Sequence, residues 1–386
     1  MTNSVVHGLP RWSLAVPPLA LVVLVLSWGR KPGAVLLILI CAGLGAAVIA
    51  AVHHAEVVAH RVGEPFGTLI LALAVTVIEV ALIVTLMASG GDKAASLARD
   101  TVFAAVMITC NGILGLALVV GSLRHKTQEF RVHASGSALA VMTALVTLSL
   151  VLPTFTTSTP GATFSGPQLA FAGVASLVMY GVFVFVQTIR HRDYFLPVVD
   201  TTEAEAASTP PAVEESRAAD ERDEEQDELH AAAPSGKVAL VSLGLLFGCL
   251  VAVVGLAKTV SPKLESAVES AGAPLAVVGV MIALLVLLPE TVAAVRAALR
   301  NRLQTSLNLA LGSALASIGL TIPAIAIASI WLSGPLVLGL GSKELVLFVL
   351  TVVVSMLTLA TGRATLLQGA VHLMIFSSFL FLAVSP

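Results

Sequence analysis

The stretch Gly63–Ala88, GEPFGTLILALAVTVIEVALIVTLMA, decides the fold. It is long enough to cross a bilayer as a helix and is apolar nearly throughout, but Glu79 lies near its middle. A charged residue at the centre of a transmembrane helix costs about 2.5–3.5 kcal/mol on insertion scales, so such residues are rare and face protein or water. Glu79 is therefore predicted to belong to a functional site, and the rest of the chain must supply its partners.

The composition is typical of a polytopic membrane protein. Of the 386 residues, 57% are hydrophobic and 11% are charged, whereas soluble domains carry about 25% charged residues. Apolar runs of sufficient length lie at about 13–28, 33–52, 66–89, 101–122, 135–153, 168–189, 238–257, 274–299, 304–332, 343–361 and 365–384. We therefore expect an all-α protein with about 11 transmembrane helices. Pro323 is expected to break or kink the overlong ninth run.

An acidic segment divides the chain. More than half of the 23 acidic residues lie between Asp193 and Glu228. The surrounding segment 193–236 is predicted to be a solvated connector, with a cation-attracting antechamber as the alternative. The predicted parts are an N-terminal segment with a leading helix (1–32), a first five-helix repeat (33–192), this acidic linker (193–236) and a second five-helix repeat (237–386). An odd number of spans in each half orients the halves oppositely across the bilayer, which is the inverted-repeat arrangement of many secondary transporters.

The basic residues orient the spans. If the acidic linker is cytoplasmic, about two thirds of the 21 Lys and Arg residues fall on its side of the membrane. The positive-inside rule then predicts a cytoplasmic N-terminus and an outside C-terminus, in a cytoplasmic (inner) membrane. The titratable residues His53–Glu64 fall on the same side, where a solvated interfacial loop is favoured over a pH sensor.

The second half supplies a counterpart to Glu79. The stretch Ala273–Leu299, APLAVVGVMIALLVLLPETVAAVRAAL, is apolar and carries Glu290 directly after Pro289. The two glutamate helices are expected to run in opposite directions, so their carboxylates can meet near the midplane. Proline frees a carbonyl about one turn back, near Leu285 or Val286, and freed carbonyls suit a hard cation. The alternative for Glu290 is an interfacial salt bridge with a nearby arginine.

Further oxygen ligands are expected on the same spans and on those that follow them. Thr76 lies one turn from Glu79, and the next spans of the two halves carry Asn111 and the pair Asn308 and Ser313. Close helix packing through small residues with hydroxyl groups is the alternative explanation for these polar positions, and both can apply. The predicted cation ligands are Glu79, Glu290, Thr76, Asn111, Asn308 and Ser313, and the two glutamates are also expected to couple the cation to protons.

The stretches GEPFGTLILALAVTVIEVALIV and RNRLQTSLNLALGSALASIG resemble the calcium/cation antiporter superfamily, in particular its bacterial calcium/proton, sodium/proton or potassium/proton antiporters. The resemblance implies that Glu79 and Glu290 match the ion-binding glutamates of the two repeats, and it extends to Asn111 and to Gly312–Ser313. Plant and yeast exchangers usually carry Gly-Asn-Ala before each glutamate, where this chain has Thr76-Val77-Ile78 and Leu287-Leu288-Pro289.

The expected function is secondary antiport of a cation against protons by alternating access, with export of the cation. Calcium is the foremost candidate, and sodium or potassium are the others. Without the cation, two close carboxylates in a low dielectric cannot both stay charged, so protons compete with the cation for the same site. The alternatives are a proton-independent sodium/calcium-type exchanger and a passive cation channel. No enzyme activity, cofactor or nucleic-acid partner is expected. The expected partners are the transported cation, protons and the lipid bilayer that surrounds the protein. Assembly into a homo-oligomer is left open. His372, which has no obvious carboxylate partner in the sequence, is expected to be a packing or interfacial residue.

Overall fold

The computed structural model describes residues 9–30, 32–63, 66–90, 94–195, 234–331 and 334–385. Nearly all of these residues are helical. The first half contains α1 (Arg11–Ser27), α2 (Ala34–Val62), α3 (Phe66–Gly90), α4 (Leu97–His125), α5 (Val132–Phe155), α6 (Gly166–Arg190) and the short α7 (Arg192–Phe195). The second half contains α8 (Gly236–Ser270), α9 (Ala276–Val286), α10 (Leu288–Leu299), α11 (Leu303–Ala328), α12 (Ser342–Ala360) and α13 (Leu366–Val384). Most of the predicted linker, together with Glu64 and Pro65, lies outside the described residues.

Within the described residues, nine helices are long and apolar enough to cross a membrane, and α9 with α10 forms a tenth span if the bent pair is counted as one. The predicted number of eleven also includes α1, which has 17 residues and is shorter than the others. The prediction of an all-α membrane protein is confirmed, while the number of eleven spans stays a prediction. The described strands are the two-residue β1 (Gln128–Glu129) and β2 (Arg363–Ala364), which pair antiparallel.

Short contacts between loops define two faces of the bundle. The linker face is the one on which α6 ends and α8 begins. On this face β1 pairs with β2, with Glu129 opposite Arg363, and so joins the α4–α5 loop to the α12–α13 loop. On the opposite face Thr163 bridges to Val337, and the Arg99 guanidinium donates to the Gly339 carbonyl at 3.1 Å. The strand pair and the Thr163–Val337 bridge join loops of the first half to loops of the second, and Arg99 in the first turn of α4 also contacts a second-half loop. Both faces are therefore held across the two halves.

Two hydrophobic clusters hold the helices together. One joins α1, α2 and α8 through residues such as Val48 and Leu256, and the other joins α4, α5 and α10–α13 through residues such as Met107 and Leu315. Both glutamate-bearing spans lie between the clusters: on α3, for example, Leu82 belongs to the first cluster and Ile83 to the second. The helices that carry Glu79 and Glu290 therefore occupy the boundary between two packed bodies.

The structure departs from two expectations about the helices: one helix ends elsewhere, and α11 has no break at Pro323, where a kink stays a prediction. The second span does not stop near residue 52, because α2 continues to Val62 and ends at Gly63, whose positive φ of 78° suits a glycine. The break at Pro323 is also not found, since α11 runs uninterrupted to Ala328 with Pro323 inside it. A Cβ at Gly173 of α6 would lie 3.3 Å from the Pro323 Cα, so α6 packs closely against this turn. That close packing stabilises a helix that the proline would otherwise weaken.

The titratable cluster before Glu79 is part of α2 and not an interfacial loop. His54 is buried, and its Nε2 lies 2.9 Å from the Ser13 carbonyl oxygen of α1. The His53 ring packs beside Trp12, with ring centroids 5.0 Å apart. The two histidines thus pack α1 onto α2, which explains why this polar sequence continues the helix. Glu64, the last residue of the cluster, lies outside the described residues.

Candidate functional site

A cavity of 280 Å³ lies between α3, α6, α9, α10 and α11. Its polar lining comes from Thr76, Glu79, Tyr180, Gln187, Thr188, Glu290, Thr305, Asn308, Ser313 and Ser317, and the rest of its wall is mostly aliphatic. The lining uses the beginning of α3, the end of α6 and the beginning of α11, all of which lie near the linker face. The cavity therefore extends from the two glutamates toward the linker face.

The bundle is closely packed between the glutamates and the opposite face. Leu82 and Leu86, which follow Glu79 on α3, are buried. A Cβ at Gly279 of α9 would lie 2.9 Å from the Thr101 backbone nitrogen of α4, so these two helices touch through a glycine. Asp100 is held beside this contact by Arg99, whose Nη2 lies 2.7 Å from Oδ1, and by the Ser96 hydroxyl at 2.9 Å. These contacts close the end of the bundle that the cavity does not reach.

Glu79 is a fixed carboxylate. It lies in the middle of α3 and is 3% exposed, although it lines the cavity. The Ser317 hydroxyl of α11 lies 2.8 Å from Oε1 and 2.8 Å from Oε2, so one donor from the second half is shared between both oxygens. A hydrogen bond to a charged acceptor is among the stronger polar contacts in proteins. Ser317 thus holds the Glu79 carboxylate in place at the wall of the cavity.

Glu290 is placed by a break in its span. The axes of α9 and α10 differ by 53°, and Leu287 stands at the break. Pro289 has no N–H to donate to Leu285, as expected for a proline that interrupts a helix. Glu290 follows in the first turn of α10, within electrostatic range of Glu79. Its Oε2 is buried, and no described residue hydrogen-bonds to it.

Three of the other predicted ligands also line the cavity. Thr76 is 4% exposed, and its hydroxyl donates to the Ala72 carbonyl at 2.9 Å, which leaves the lone pairs of its oxygen available. Ser313 lies one turn before Ser317 on α11 and lines the cavity too. Asn308 lines it nearer the linker face, where its Nδ2 donates to the Phe195 carbonyl at 2.6 Å. Five of the six predicted ligands are therefore brought together, and their role as ligands stays a prediction.

Asn111 lies elsewhere. It is buried in the π-helical turn Ile108–Ile113 of α4, outside the lining of the cavity. Its Nδ2 donates to the Thr351 hydroxyl at 2.9 Å, and its Oδ1 lies 3.2 Å from Nδ1 of His372. The Nε2 of His372 lies 3.1 Å from the Thr358 hydroxyl. Asn111 and His372 thus form a buried polar network between α4, α12 and α13, in which both side chains have partners.

The sequence did not single out every polar residue of the site. Ser317 shares a helical face with Ser313, and that spacing of four was the available signal for it. Gln187 and Thr188 line the cavity from the π-helical end of α6, and Tyr180 lines it from about two turns earlier on the same helix. They come from a span with no charged residue before Arg190 at its end, so nothing in its own sequence connects it with the glutamates.

The arrangement suits a cation that is held mainly by two carboxylates. Among the described residues, no group of three or more His, Cys, Asp or Glu side chains could hold a metal ion together. A cation between Glu79 and Glu290 must therefore complete its coordination with hydroxyl, amide, backbone carbonyl or water oxygens. Hard cations such as Ca²⁺ accept such ligands, and the hydroxyl-bearing residues Thr76 and Ser313 line the same cavity.

Comparison with known proteins gives a consistent picture. Residues 32–189 and 241–385 match the family described as "Sodium/calcium exchanger protein". The y4hA protein of Sinorhizobium fredii (strain NBRC 101917 / NGR234), which is described as an ionic transporter, is 48% identical over 98% of this chain and 97% of its own. The sodium-potassium/proton antiporter ChaA of Escherichia coli (strain K12) is 35% identical over 95% of this chain and 94% of its own.

The fold is also found among solved structures. The structure of native YfkE, a Ca²⁺/H⁺ antiporter, matches with a TM-score of 0.67 over 97% of this chain and 99% of that chain. The two sequences are 18% identical, so this similarity is one of fold. It confirms that the helices described above are arranged as in a membrane exchanger.

Proposed function

Because the chain belongs to the sodium/calcium exchanger protein family, we propose that it exchanges a cation for protons at the cavity between Glu79 and Glu290. The observation that carries the proposal is the convergence of two carboxylates on one cavity from spans of opposite direction. One of them, Glu79, is held by a hydroxyl from the other half of the chain. Ionisable residues inside membrane spans mark ion pathways and proton relays in transporters.

The chemistry of exchange follows from competition at the two carboxylates. When both are ionised, they carry two negative charges, which suit one divalent cation or partly hydrated monovalent cations. When the cation leaves, the repulsion between the carboxylates and their burial favour uptake of protons. The cavity therefore binds cation or protons but not both at once, and this exclusion couples the two fluxes.

Three cations are candidates for the cargo. Sodium and potassium are supported by the relative that is 35% identical, which is named a sodium-potassium/proton antiporter. Calcium is supported by the description of the family and by the oxygen ligands that surround the two carboxylates. The proposed location is the cytoplasmic membrane with the linker face inside, and an inward proton gradient then drives export of the cation.

Alternating access requires the boundary between the two packed bodies to open in turn toward each face. α3 and the α9–α10 pair lie at this boundary, and they carry the two glutamates. The closely packed end near Gly279 and Asp100 is the part that must separate for the cation to leave toward the opposite face. Rocking of one body against the other is the general way in which inverted-repeat transporters expose a central site.

Transport by the purified full-length chain in liposomes that contain a pH-sensitive dye tests the proposal. CaCl₂, NaCl or KCl is added outside proteoliposomes that are acidic inside. At least one cation is expected to drive proton movement, and Glu79→Gln and Glu290→Gln are each expected to reduce it at least about 100-fold, because a neutral amide cannot exchange a cation for a proton. Glu129→Gln is the matched control, since Glu129 is half exposed in its ion pair with Arg363 and is expected to leave exchange unchanged.

Three outcomes contradict the proposal. Full exchange by both glutamine variants would show that the site is elsewhere. Sodium-dependent calcium flux without proton movement would identify a proton-independent exchanger. Cation flux that dissipates a gradient with no counter-ion would identify a channel.

A further inference from the structure

A chain of side-chain amides connects the cavity to the beginning of the acidic linker. Gln304 and Asn308 lie one turn apart at the start of α11, and Gln304 is 1% exposed. The Arg131 backbone N–H donates to Gln304 Oε1 at 2.6 Å, and Gln304 Nε2 donates to Asn308 Oδ1 at 2.8 Å. Asn308 Nδ2 then donates to the Phe195 carbonyl at 2.6 Å. Three helices, α5, α11 and α7, meet through these two side chains.

The direction of the hydrogen bonds through the two amides is determined by the groups at both ends of the series. A backbone N–H can only donate and a backbone carbonyl can only accept. The Arg131 N–H therefore requires the oxygen of Gln304, which turns the Gln304 NH₂ group toward Asn308. The Phe195 carbonyl requires the NH₂ group of Asn308, which turns the Asn308 oxygen toward Gln304. The two requirements agree, so neither amide can be reversed alone without placing two donors or two acceptors face to face.

The series of amides ends at Phe195, which is the last residue that the structure describes before residues 196–233. Phe195 ends α7, and its ring packs edge-on against Phe183 with centroids 6.1 Å apart. Phe183 is buried and lines the cavity, as does Asn308. Phe195, the last residue described before the gap, thus lies at the edge of the cavity, where two residues of the cavity wall, Asn308 and Phe183, contact it.

We propose that Gln304 is a positioning residue that fixes the orientation of Asn308, so that the Asn308 NH₂ group docks the beginning of the acidic linker at the edge of the cavity. Displacement of the linker frees this NH₂ group and changes the polar groups that a cation meets in the cavity, a consequence that rests on the proposed function. Docking itself requires no cargo, so it can be tested even if the proposed exchange is wrong.

Hydrogen–deuterium exchange of the purified full-length protein in detergent, without added cation, measures docking. Glutamate at position 304 keeps the size of glutamine and can still accept from Arg131, but at alkaline pH it has no donor for Asn308. Asn308 must then turn its NH₂ group away from Phe195 and present its oxygen to the Phe195 carbonyl. Gln304→Glu is therefore expected to raise the exchange rate of a peptide covering residues 190–195 at least about tenfold, because an undocked segment opens locally.

A second substitution separates orientation from packing. Gln304→Ala removes more volume and leaves the Arg131 N–H without its partner, so it is expected to lower the melting temperature more than Gln304→Glu does. It leaves Asn308 able to donate to Phe195, so exchange of the 190–195 peptide is expected to stay within about threefold of the unmodified chain. A residue that only filled space would give the reverse order, with the alanine variant showing the faster exchange.

Two further variants complete the experiment. Asn308→Asp removes the donor directly and is expected to accelerate the same peptide even if Gln304→Glu does not fold. Gln368→Glu is the matched control for the chemical change, because the Gln368 oxygen accepts from the Thr365 N–H at the start of α13, a role that glutamate fills equally well. Unchanged exchange of the 190–195 peptide in Asn308→Asp, or equal acceleration by Gln304→Ala and Gln304→Glu, would overturn the proposal.

Discussion

The two glutamates of the cavity lie on spans of unlike construction. α3 is one uninterrupted helix from Phe66 to Gly90, and it holds Glu79 in its middle, 3% exposed, with Ser317 against both carboxylate oxygens. The span that carries Glu290 is bent by 53° just before the glutamate, and one of the carboxylate oxygens is buried without a hydrogen bond from the described residues. The same residue type is thus hydrogen-bonded through both oxygens in one half of the chain, whereas in the other half one oxygen has no partner among the described residues.

The sequence places Glu79 and Glu290 at corresponding positions in the two halves, but the structure suggests that they would contribute differently to cation binding. Glu79 has its hydrogen bond already formed, so it offers a cation a carboxylate whose position changes little. In the proposed function, a cation or a proton would supply the partner that Glu290 Oε2 lacks, and the break beside it provides a place at which the span can bend. A buried polar atom without a partner is costly, so its pairing contributes to the free energy of binding. If both glutamates bind the cation, as proposed, one of them is a rigid ligand and the other an adaptable one.

Among substitutions that leave both glutamates in place, restoring the helix at the break should have the largest effect. Pro289→Ala supplies the N–H that Leu285 lacks, and alanine is more favourable than proline inside a helix by about 3 kcal/mol, which corresponds to about 100-fold in population. We expect cation–proton exchange to fall by about one to two orders of magnitude while the melting temperature stays equal or rises. Transport in liposomes and thermal unfolding of the same preparation measure the two effects.

Pro323→Ala is the matched control for this substitution. Pro323 lies inside the unbroken α11, so its replacement removes a proline without removing a break. If Pro289→Ala exchanges cations at the original rate, the break is not needed and the contrast between the two spans has no functional meaning.

Much of the site could be predicted from the sequence because an ionisable residue in an apolar span is conspicuous. Glu79 and Glu290 stand out because a carboxylate inside a membrane span costs free energy. Thr76 stands out because it lies one turn from Glu79, and Ser313 because it lies on the span that follows Glu290. Pro289 indicated a freed backbone carbonyl beside Glu290, and the structure has a 53° break there, whereas the sequence led us to expect a break or kink at Pro323. The hydropathy of the chain was sufficient to predict an all-α membrane protein, because a helix forms all of its backbone hydrogen bonds within the span and so can cross a bilayer.

The position of Asn111 could not be predicted, because it depends on partners in the second half of the chain. The turn Ile108–Ile113 is π-helical, which inserts extra backbone into the helix and rotates the residues after it relative to those before it. Ala105, before this turn, lines the cavity, whereas Asn111, within it, faces Thr351 and His372. The partners that decide the orientation of Asn111 lie more than 200 residues away in the sequence, so its own helix does not indicate them.

Removal of the donor to Glu79 should have an intermediate effect. Ser317→Ala leaves the buried carboxylate without its hydrogen bond, and such bonds to charged groups contribute about 1.5–3 kcal/mol. We expect the apparent affinity for the transported cation to fall about tenfold, because ionised Glu79 is less well stabilised before the cation arrives. The concentration dependence of cation-driven proton movement measures it.

Ser306→Ala controls for the loss of a buried hydroxyl from the same helix. Ser306 is 1% exposed, and its hydroxyl has no hydrogen-bond partner among the described residues, so its removal should leave affinity unchanged. Equal affinities for Ser317→Ala and the unmodified chain would mean that Glu79 is not held by Ser317 during transport, and the rigid and adaptable ligands would no longer differ.

The smallest effect is expected for Thr76→Val on the rigid span. The Thr76 hydroxyl already donates to the Ala72 carbonyl at 2.9 Å, so it can assist a cation only through its remaining lone pairs. Valine has the same shape, and we expect a loss of apparent affinity of about two- to threefold, as for one weak neutral ligand. Thr85→Val is the matched control, since Thr85 makes the same contact with Ala81 on α3 at 2.6 Å but does not line the cavity. A larger loss for Thr76→Val than for Ser317→Ala would show that the threonine oxygen binds the cation directly. In that case, the rigidity of α3 would serve to position two ligands and not one.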